Sequence, residues 1–209
     1  MPMNPEKLRE LLSRHIPPQA LDYCMSLWEQ YTFIFKLRKK RITKVGDFSC
    51  RKNQVPTITI NQDSHPYLFV LTYVHEVAHL VVHRLHGWKV EAHGKVWKDT
   101  FRELMGPLLR SDVFPSDLLV ELKRHLINPR ATSFSDARLS AILRKHDERQ
   151  RNVVTLDELP EGSMFGFQGR WFTKGPRRRT RVLCAEVKTR RNFLVPADAP
   201  VEAAQLSLL

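Results

Sequence analysis

Residues 66–86 read PYLFVLTYVHEVAHLVVHRLH, with His75-Glu76-Val77-Ala78-His79 near the centre, and the rest of the chain is interpreted around this segment. Apolar residues recur through this stretch at helical spacing, so it predicts one long helix. Ser64 is a candidate N-cap, Pro66 falls in the first turn, and Gly87 is expected to end the helix. Polar groups inside so apolar a helix are costly to bury unless a partner satisfies them.

The pentapeptide His75-Glu76-Val77-Ala78-His79 has the spacing of a metal site. Residues four apart on a helix lie on one face, about 6 Å from each other, so the rings of His75 and His79 can share one ion. Zinc binds imidazole nitrogens at about 2.0–2.1 Å, and a neighbouring carboxylate can take a proton from an attacking water. The pattern predicts one Zn²⁺ ion with Glu76 as general base. The alternative is two surface histidines beside an incidental glutamate.

A catalytic zinc site needs a third protein ligand. The spacing of the metzincins fails, because Val82 and Leu85 stand where Gly and His are required. His93 is the best candidate, since a chain reversal after Gly87 would bring it back over the helix face that carries the first two histidines. Gly94 would permit a close backbone approach there.

Other donors stay open at this point. Asp99 and Glu103 are formally available as the downstream acid of another zincin class. His83 and His86 continue the helix face along its axis and are expected to lie away from the ion. A helix-capping role is the alternative for His93.

Charge and cysteine content narrow the class of protein further. Among 209 residues, 34 Lys and Arg face 22 Asp and Glu, giving a formal net charge of +12 and a pI near 10.0. Such a charge favours DNA, RNA or an anionic membrane surface as partner, although a generally basic surface is the simpler interpretation. Cys24, Cys50 and Cys184 are too few and too far apart for a disulfide framework. No apolar run fits a signal peptide or a membrane span, so we expect a cytoplasmic protein with no membrane association.

The remaining pattern predicts an α+β fold with two domains, residues 1–150 and residues 151–209. Further helices are expected near residues 5–12, 19–30, 93–105, 115–126 and 136–145, and strands at 31–37 and 57–61. Gly46-Asp47 indicates a hairpin turn. A polar linker at 147–152 precedes alternating segments that predict a small antiparallel β unit, at 163–172, 180–187 and 192–195, with turns at Gly169, Gly175-Pro176 and 189–191.

Two basic tracts indicate a nucleic-acid interface. Residues 36–52 hold eight Lys or Arg and one acid, and residues 170–191 hold nine and one. Cations bind phosphates and aromatic faces stack on unpaired bases, and Trp171, Phe172 and Phe193 are interleaved in the second tract. The alternative is a solvated basic face whose aromatic side chains point inward as a core. The residues expected to contact DNA, single-stranded or duplex, are Arg38, Lys39, Lys40, Arg41, Arg177, Arg178, Arg179 and Arg181.

The sequence resembles the SprT-like metallopeptidase family, which includes the Spartan proteases. The matching elements are the His-Glu-x-x-His helix, the block His93-Gly-Lys-Val-Trp97, the upstream Lys44-Val-Gly-Asp-Phe48 and Ile58-Thr-Ile-Asn61, and the tail block Arg177-Arg-Arg-Thr-Arg-Val-Leu-Cys184. Among family members the chain looks most like the SprT-like proteins of Bacteroidetes-type bacteria.

The resemblance implies a zincin-type α+β core, zinc bound by His75, His79 and His93, and Glu76 as general base. It also implies cleavage of proteins crosslinked to DNA. One departure is that many SprT proteins carry a four-cysteine zinc ribbon after the protease domain, and only Cys184 lies in that region here. Two rival hypotheses stay open: a nucleic-acid-binding protein with a structural zinc site, and a metal-dependent hydrolase that acts on something other than peptides.

Overall fold

The chain folds as an α+β protein with six helices and two small sheets in the described residues, as the sequence predicts. The computed structural model describes residues 4–41, 44–51, 53–129, 136–147 and 154–203. Two compact units, residues 1–143 and 144–209, divide the chain. Most of the expected linker at 147–152 lies outside the described residues. Across the described ranges no helix combines the length and the apolar character that a membrane span requires.

The N-terminal unit contains a three-stranded sheet, with helices that precede it and follow it along the chain. Its elements, in chain order, are α1 (Pro5–Ser13), α2 (Leu21–Tyr31), β1 (Ile34–Arg38), β2 (Gly46–Ser49), β3 (Thr57–Asn61), α3 (Pro66–His86), α4 (Lys95–Met105), α5 (Ser116–Ile127) and α6 (Ala137–His146), whose last residues belong to the second unit.

The sheet of this unit has the order β1-β3-β2, with β1 parallel and β2 antiparallel to β3. The expectation of a hairpin turn at Gly46-Asp47 is wrong, because both residues lie within β2. Gly46 is required here for a different reason: the strand passes so close to α3 that a side chain at this position would overlap Thr72 and Glu76. Strand β2 therefore forms the sheet edge nearest these α3 residues.

Helix α3 forms the centre of the N-terminal core. Tyr73 is fully buried, its ring lies 5.7 Å from that of Phe35 on β1, and its hydroxyl donates to the carbonyl of Cys24 on α2 at 2.9 Å. These contacts fix α3 to the sheet on one side and to α2 on the other. The N-cap is His65 rather than the expected Ser64, since the His65 ring accepts a hydrogen bond from the amide of Tyr67.

The three cysteines are free thiols. Cys24 on α2 and Cys184 in the C-terminal unit are buried, whereas Cys50 is half-buried and directly follows β2. The expectation that no disulfide framework is present is confirmed.

The C-terminal unit is a five-stranded antiparallel sheet. Its strands are β4 (Met164–Phe167), β5 (Arg170–Arg178), β6 (Arg181–Glu186), β7 (Asn192–Pro196) and β8 (Glu202–Ala203), in the order β7-β6-β5-β4-β8. Four strands form a meander and the short last strand returns to pair with the first. Its buried core consists of Leu156, Phe165, Phe172, Val182, Cys184, Val195, Ala197, Ala199 and Val201.

The expected turn at Gly175-Pro176 is wrong, because both residues lie inside β5, where the pairing with β6 is irregular. A side chain at residue 175 would come within 2.5 Å of the carbonyl oxygen of Leu183 on β6. Glycine therefore permits a close approach of two strands at a bulge rather than a reversal of the chain.

Candidate metal centre

Three histidine side chains meet at one point of the N-terminal unit. His75 and His79 lie one turn apart on α3, Gly87 ends that helix with φ of 62°, and the chain reverses so that His93 immediately precedes Gly94, the N-cap of α4. The Nε2 atom of His79 lies 3.1 Å from that of His75 and 3.0 Å from that of His93, and the Nε2 atoms of His75 and His93 are 3.3 Å apart. The reversal places residue 93 where the sequence predicts it.

Hydrogen bonding alone does not explain this triangle of nitrogen atoms. In a neutral imidazole each Nε2 is either a donor or an acceptor. Among three such atoms at least two must share a role, and the contact between those two is then repulsive. A cation in contact with three lone pairs removes the conflict, because every Nε2 then has the same role towards the ion.

The dimensions of the triangle fit a small divalent cation. A tetrahedral ion with bonds of about 2.0–2.1 Å holds its nitrogen ligands about 3.3 Å apart, and the three measured separations are 3.0–3.3 Å. Among the described residues, the cluster of His, Cys, Asp or Glu donors close enough to share a metal ion is His75, His79 and His93. The donor set therefore fits a metal ion.

Trp97 on α4 packs against the imidazole rings of all three histidines. It is fully buried, and its ring centroid lies 4.6 Å from that of His75, 5.3 Å from that of His79 and 4.7 Å from that of His93. Phe101, one turn later, stacks on the indole with the ring centroids 4.9 Å apart. These contacts restrict the histidine rings to the orientation in which their Nε2 atoms converge.

The surroundings keep the three histidines neutral, which is the form that binds a metal. Burial lowers the pKa of His75 well below 6.5, and the neighbouring His79 and His93 lower it further. Burial and then His93 lower the pKa of His79 to about 4. Burial also lowers the pKa of His93, against a smaller opposing effect of Glu91.

Glu76 lies on α3 beside the triad and faces β2. Its side chain is buried and accepts a hydrogen bond from the backbone N–H of Phe48. Burial raises the pKa of this carboxyl to about 8, with a further contribution from Asp47, while the Phe48 hydrogen bond, Arg41 and Lys44 act in the opposite direction. A nearby divalent cation would favour the ionised carboxylate.

Gly46 is a site residue that the sequence analysis missed. A Cβ atom added to Gly46 would lie 2.5 Å from Oε1 of Glu76 and 2.5 Å from Cγ2 of Thr72. These distances are shorter than van der Waals contact, so the absence of a side chain at residue 46 is what lets β2 lie directly over Glu76. In the sequence a glycine beside Asp47 indicates a turn, and nothing local distinguishes the two uses.

The other candidate ligands lie elsewhere. Asp99 is bonded to Lys95 at 3.0 Å and to Arg102 at 2.8 Å on the exposed side of α4. Glu103 on α4 and His86 on α3 are exposed to solvent. His83 packs against aromatic side chains rather than against the triad.

The first basic tract is only partly available to a ligand. Arg38, Lys39 and Lys40 are exposed, and Lys40 has Asp63 at 4.0 Å. The guanidinium of Arg41 is instead used within the protein: it donates to the side chains of Asn61 and Thr59 at 2.8 and 3.0 Å and to two backbone carbonyls. Arg41 therefore stabilises the loop between β1 and β2 against β3. Ile42, Thr43 and Lys52 in this tract lie outside the described residues.

The arginines of the second tract lie around the turn between β5 and β6. Arg178 and Arg179 are exposed, and Arg181 donates to a backbone carbonyl of β7 at 3.2 Å. Arg177 makes two hydrogen bonds to the carboxylate of Asp157, at 2.9 and 2.6 Å.

The aromatic residues of the second tract separate onto the two faces of the sheet. Phe172 is buried and Phe193 packs against the same core. Trp171 points to the opposite side, which we call the outer face, together with Met164 and Leu194; the three are 47%, 50% and 49% exposed. The inward orientation therefore holds for the phenylalanines and not for Trp171.

Comparisons of the chain with protein-family models, with curated proteins and with solved structures gave no match.

Metal binding is expected to stabilise the protein. With free Zn²⁺ at about 100 times its Kd, the free energy of unfolding should rise by about 2.7 kcal/mol, because only the folded chain brings the three nitrogens together. His79→Ala should abolish this increase, whereas His86→Ala, at an exposed position on the same helix, should keep it. Thermal unfolding after chelator treatment, with and without added Zn²⁺, measures the effect. Equal responses of His79→Ala and wild type would contradict the site.

Gly46→Ala is expected to destabilise the protein by about 1–3 kcal/mol, because the added methyl overlaps Glu76 and Thr72. Gly106→Ala is the matched control: it has helical dihedral angles and nothing within 4 Å of the added Cβ, so alanine should be neutral or stabilising by about 0.4–1 kcal/mol. Urea unfolding followed by circular dichroism compares the two. An unchanged midpoint for Gly46→Ala would argue against the close approach of β2 to α3.

Proposed function

We propose that this protein is a zinc-dependent endopeptidase of the SprT-like type, with a zincin-type core. The observation that carries the proposal is the convergence of three imidazole Nε2 atoms within 3.0–3.3 Å of one another beside a buried carboxyl group. His75, His79 and His93 would hold the ion, and Glu76 would act as general base. In such a site zinc supplies the Lewis acidity that activates water for attack on a carbonyl.

The number of donors supports a catalytic site over a structural one. Structural zinc sites usually have four protein ligands, whereas catalytic sites have three and keep one position open. The donor cluster found in the described residues has three members, and the carboxyl of Glu76 is directed to the backbone of Phe48 rather than counted among them. A carboxylate that is not a ligand is free to move protons.

The role of Glu76 follows from its position and its partners. Glu76 follows His75 directly on α3. Its carboxyl accepts a hydrogen bond from the Phe48 N–H of β2 and lies against Gly46 of the same strand. A buried carboxylate fixed in this way can accept a proton from the attacking water and then donate it to the departing amine nitrogen. The hydrogen bond from Phe48 occupies one acceptor direction, so the remaining lone pairs are available for this transfer.

Strand β2 offers a way to hold an extended peptide. It is the last strand of the order β1-β3-β2, so its ladder with β3 uses one edge of its backbone. A peptide added along the other edge would form main-chain hydrogen bonds on either side of the Phe48 N–H, which Glu76 already accepts. Such binding is independent of side chains, which suits a protease with varied protein substrates.

The outer face of the C-terminal sheet has the composition of a nucleic-acid-binding surface. Leu183 pairs with Leu194, and Arg181 lies two residues before Leu183, so Arg181 and its cross-strand partner Arg178 project on the outer face. Glu202 on β8 is an opposing charge at the other side of this face, next to Gly166. Exposed apolar side chains flanked by arginines suit unpaired bases and phosphates. We propose that the enzyme acts on proteins associated with, or crosslinked to, single-stranded DNA.

Glu76→Gln tests the enzymatic role. The amide keeps an oxygen for the Phe48 N–H, so zinc content and stability should be retained, while proteolysis should fall by about 10²–10⁴-fold because the proton acceptor is lost. Glu103→Gln, at an exposed position on α4, is the control and should cleave like wild type. The assay follows cleavage of casein and of a DNA-bound protein, with and without single-stranded DNA.

The same assay separates the rival functions. Retained zinc with no cleavage of any protein by the wild type would favour a nucleic-acid-binding protein with a structural zinc site. Hydrolysis of small esters without proteolysis would favour a metal-dependent hydrolase of another class. Equal proteolysis by Glu76→Gln and wild type would remove Glu76 from its role.

Trp171→Ala and Arg178→Ala are expected to weaken binding to an oligo-dT strand in different ways. Trp171→Ala removes a ring on which a base can stack and should cost about 1–3 kcal/mol of binding free energy at every salt concentration. Arg178→Ala removes one phosphate contact and should reduce the slope of log K against log salt by about one. Arg14→Ala, at the exposed C-cap of α1 with Glu10 as its partner, is the control. Fluorescence anisotropy at several KCl concentrations measures both quantities. Wild-type affinity of Trp171→Ala would exclude the outer face.

A further inference from the structure

Three aromatic rings form a cluster beside the metal centre that the proposed chemistry does not use. The rings of His83 and Trp88 lie 4.4 Å apart, and Phe48 lies 5.6 Å from His83 and 6.1 Å from Trp88. We call these three residues the aromatic platform. They come from the last part of α3, the segment after it and the edge strand β2.

The platform borders the site on two sides. His83 follows His79 by one helical turn, and residues four apart on a helix lie about 6 Å from each other. Phe48 carries the backbone N–H that donates to Glu76. The two elements that present the platform are therefore the same two that present the ion ligands and hold the general base.

Trp88 is placed on the platform but left largely open to solvent. Gly87, with φ of 62° and ψ of −144°, ends α3 and turns the following residue back towards His83. In spite of its two ring contacts, Trp88 is 70% exposed. A large indole face held by other rings and exposed beside a reactive centre has the composition of a binding pocket, which is mostly aromatic with few polar groups.

We propose that the aromatic platform is a specificity subsite that binds an aromatic or large apolar side chain of the peptide substrate. The assignment rests on the proposed endopeptidase function. An extended peptide rises about 3.3 Å per residue, and His83 of the platform follows the proposed ligand His79 by one helical turn. The bound side chain therefore belongs to a residue within about two positions of the cleaved bond.

The chemistry of the platform selects this class of side chain. Its most exposed member is Trp88, whose ring is tilted against those of Phe48 and His83. Ring faces favour offset or edge-to-face contact with another ring. Two charged side chains near the platform are already engaged: Asp47 is bonded to Lys44 at 2.7 Å, and Arg84 donates to the carbonyls of Tyr31 and Thr32. An apolar side chain buries the indole without displacing either of these contacts.

Selectivity among peptides tests the proposal. The wild type, Trp88→Ala, Trp88→Phe and Leu85→Ala are compared on a peptide mixture in which the residues around the cleaved bond vary, with products identified by mass spectrometry. Leu85 is 70% exposed on the last turn of α3 and lies outside the platform, so its variant is the matched control. Trp88 is exposed, so its truncation leaves the core intact, which thermal unfolding verifies.

The expected result is a wild-type preference for Phe, Tyr, Trp or Leu at one position within two residues of the cleaved bond. Trp88→Ala should lower kcat/KM for these peptides by about tenfold or more while changing that for peptides with Ala there by less than about twofold. Trp88→Phe and Leu85→Ala should keep the preference. Cleavage with the same selectivity in wild type and Trp88→Ala would overturn the subsite alone, whereas no cleavage by the wild type would overturn the proposed function and the subsite with it.

Discussion

The N-terminal unit is built around three imidazole nitrogens that lie 3.0–3.3 Å from one another. Without a cation at least one of their contacts is repulsive, so the fold must supply the free energy that keeps them together. Trp97 supplies it through contacts with all three rings, and Phe101 stacks on Trp97 in turn. A bound cation removes the repulsion between these nitrogen atoms. Cation binding by the three histidines therefore raises the free energy of unfolding of the N-terminal unit.

The position of the Glu76 carboxyl, next to the three histidines, depends on a different element. Glu76 lies on α3, but its partner is the backbone of β2, through the Phe48 N–H and the missing side chain of Gly46. The helix therefore sets the positions of the nitrogen donors and the strand sets the position of the carboxyl. A peptide that lengthened the sheet at β2, as proposed above, would lie beside the strand that contacts the Glu76 carboxyl.

Much of the fold and of the donor set could be predicted because the responsible patterns are local. The apolar spacing of residues 66–86 fixes α3, the four-residue interval between His75 and His79 fixes two donors, and Gly87 fixes the reversal that returns His93. Features that depend on contacts between distant segments could not be predicted. Gly46 has the sequence context of a turn, and only its distance to α3 shows why a strand needs it.

The basic tracts illustrate the same limit. Charge counting treats Arg41 and Arg38 alike, yet Arg41 donates to side chains and carbonyls of its own loop and of β3, whereas Arg38 is exposed. The alternation of β5 predicts that Trp171 and Phe172 face opposite ways, but it does not say which one is buried. Packing with the neighbouring strands buries Phe172 in the core of the C-terminal unit, so Trp171 is exposed on the outer face.

The distribution of the thiols has a practical consequence. Burial raises the pKa of Cys24 and of Cys184, so both thiolates are scarce and sheltered from reagents. Cys50, half-buried and immediately after β2, is left as the thiol that a maleimide dye or a nitroxide label would modify first. The natural sequence thus carries its own attachment point for a spectroscopic reporter, one residue beyond the strand that contacts Glu76.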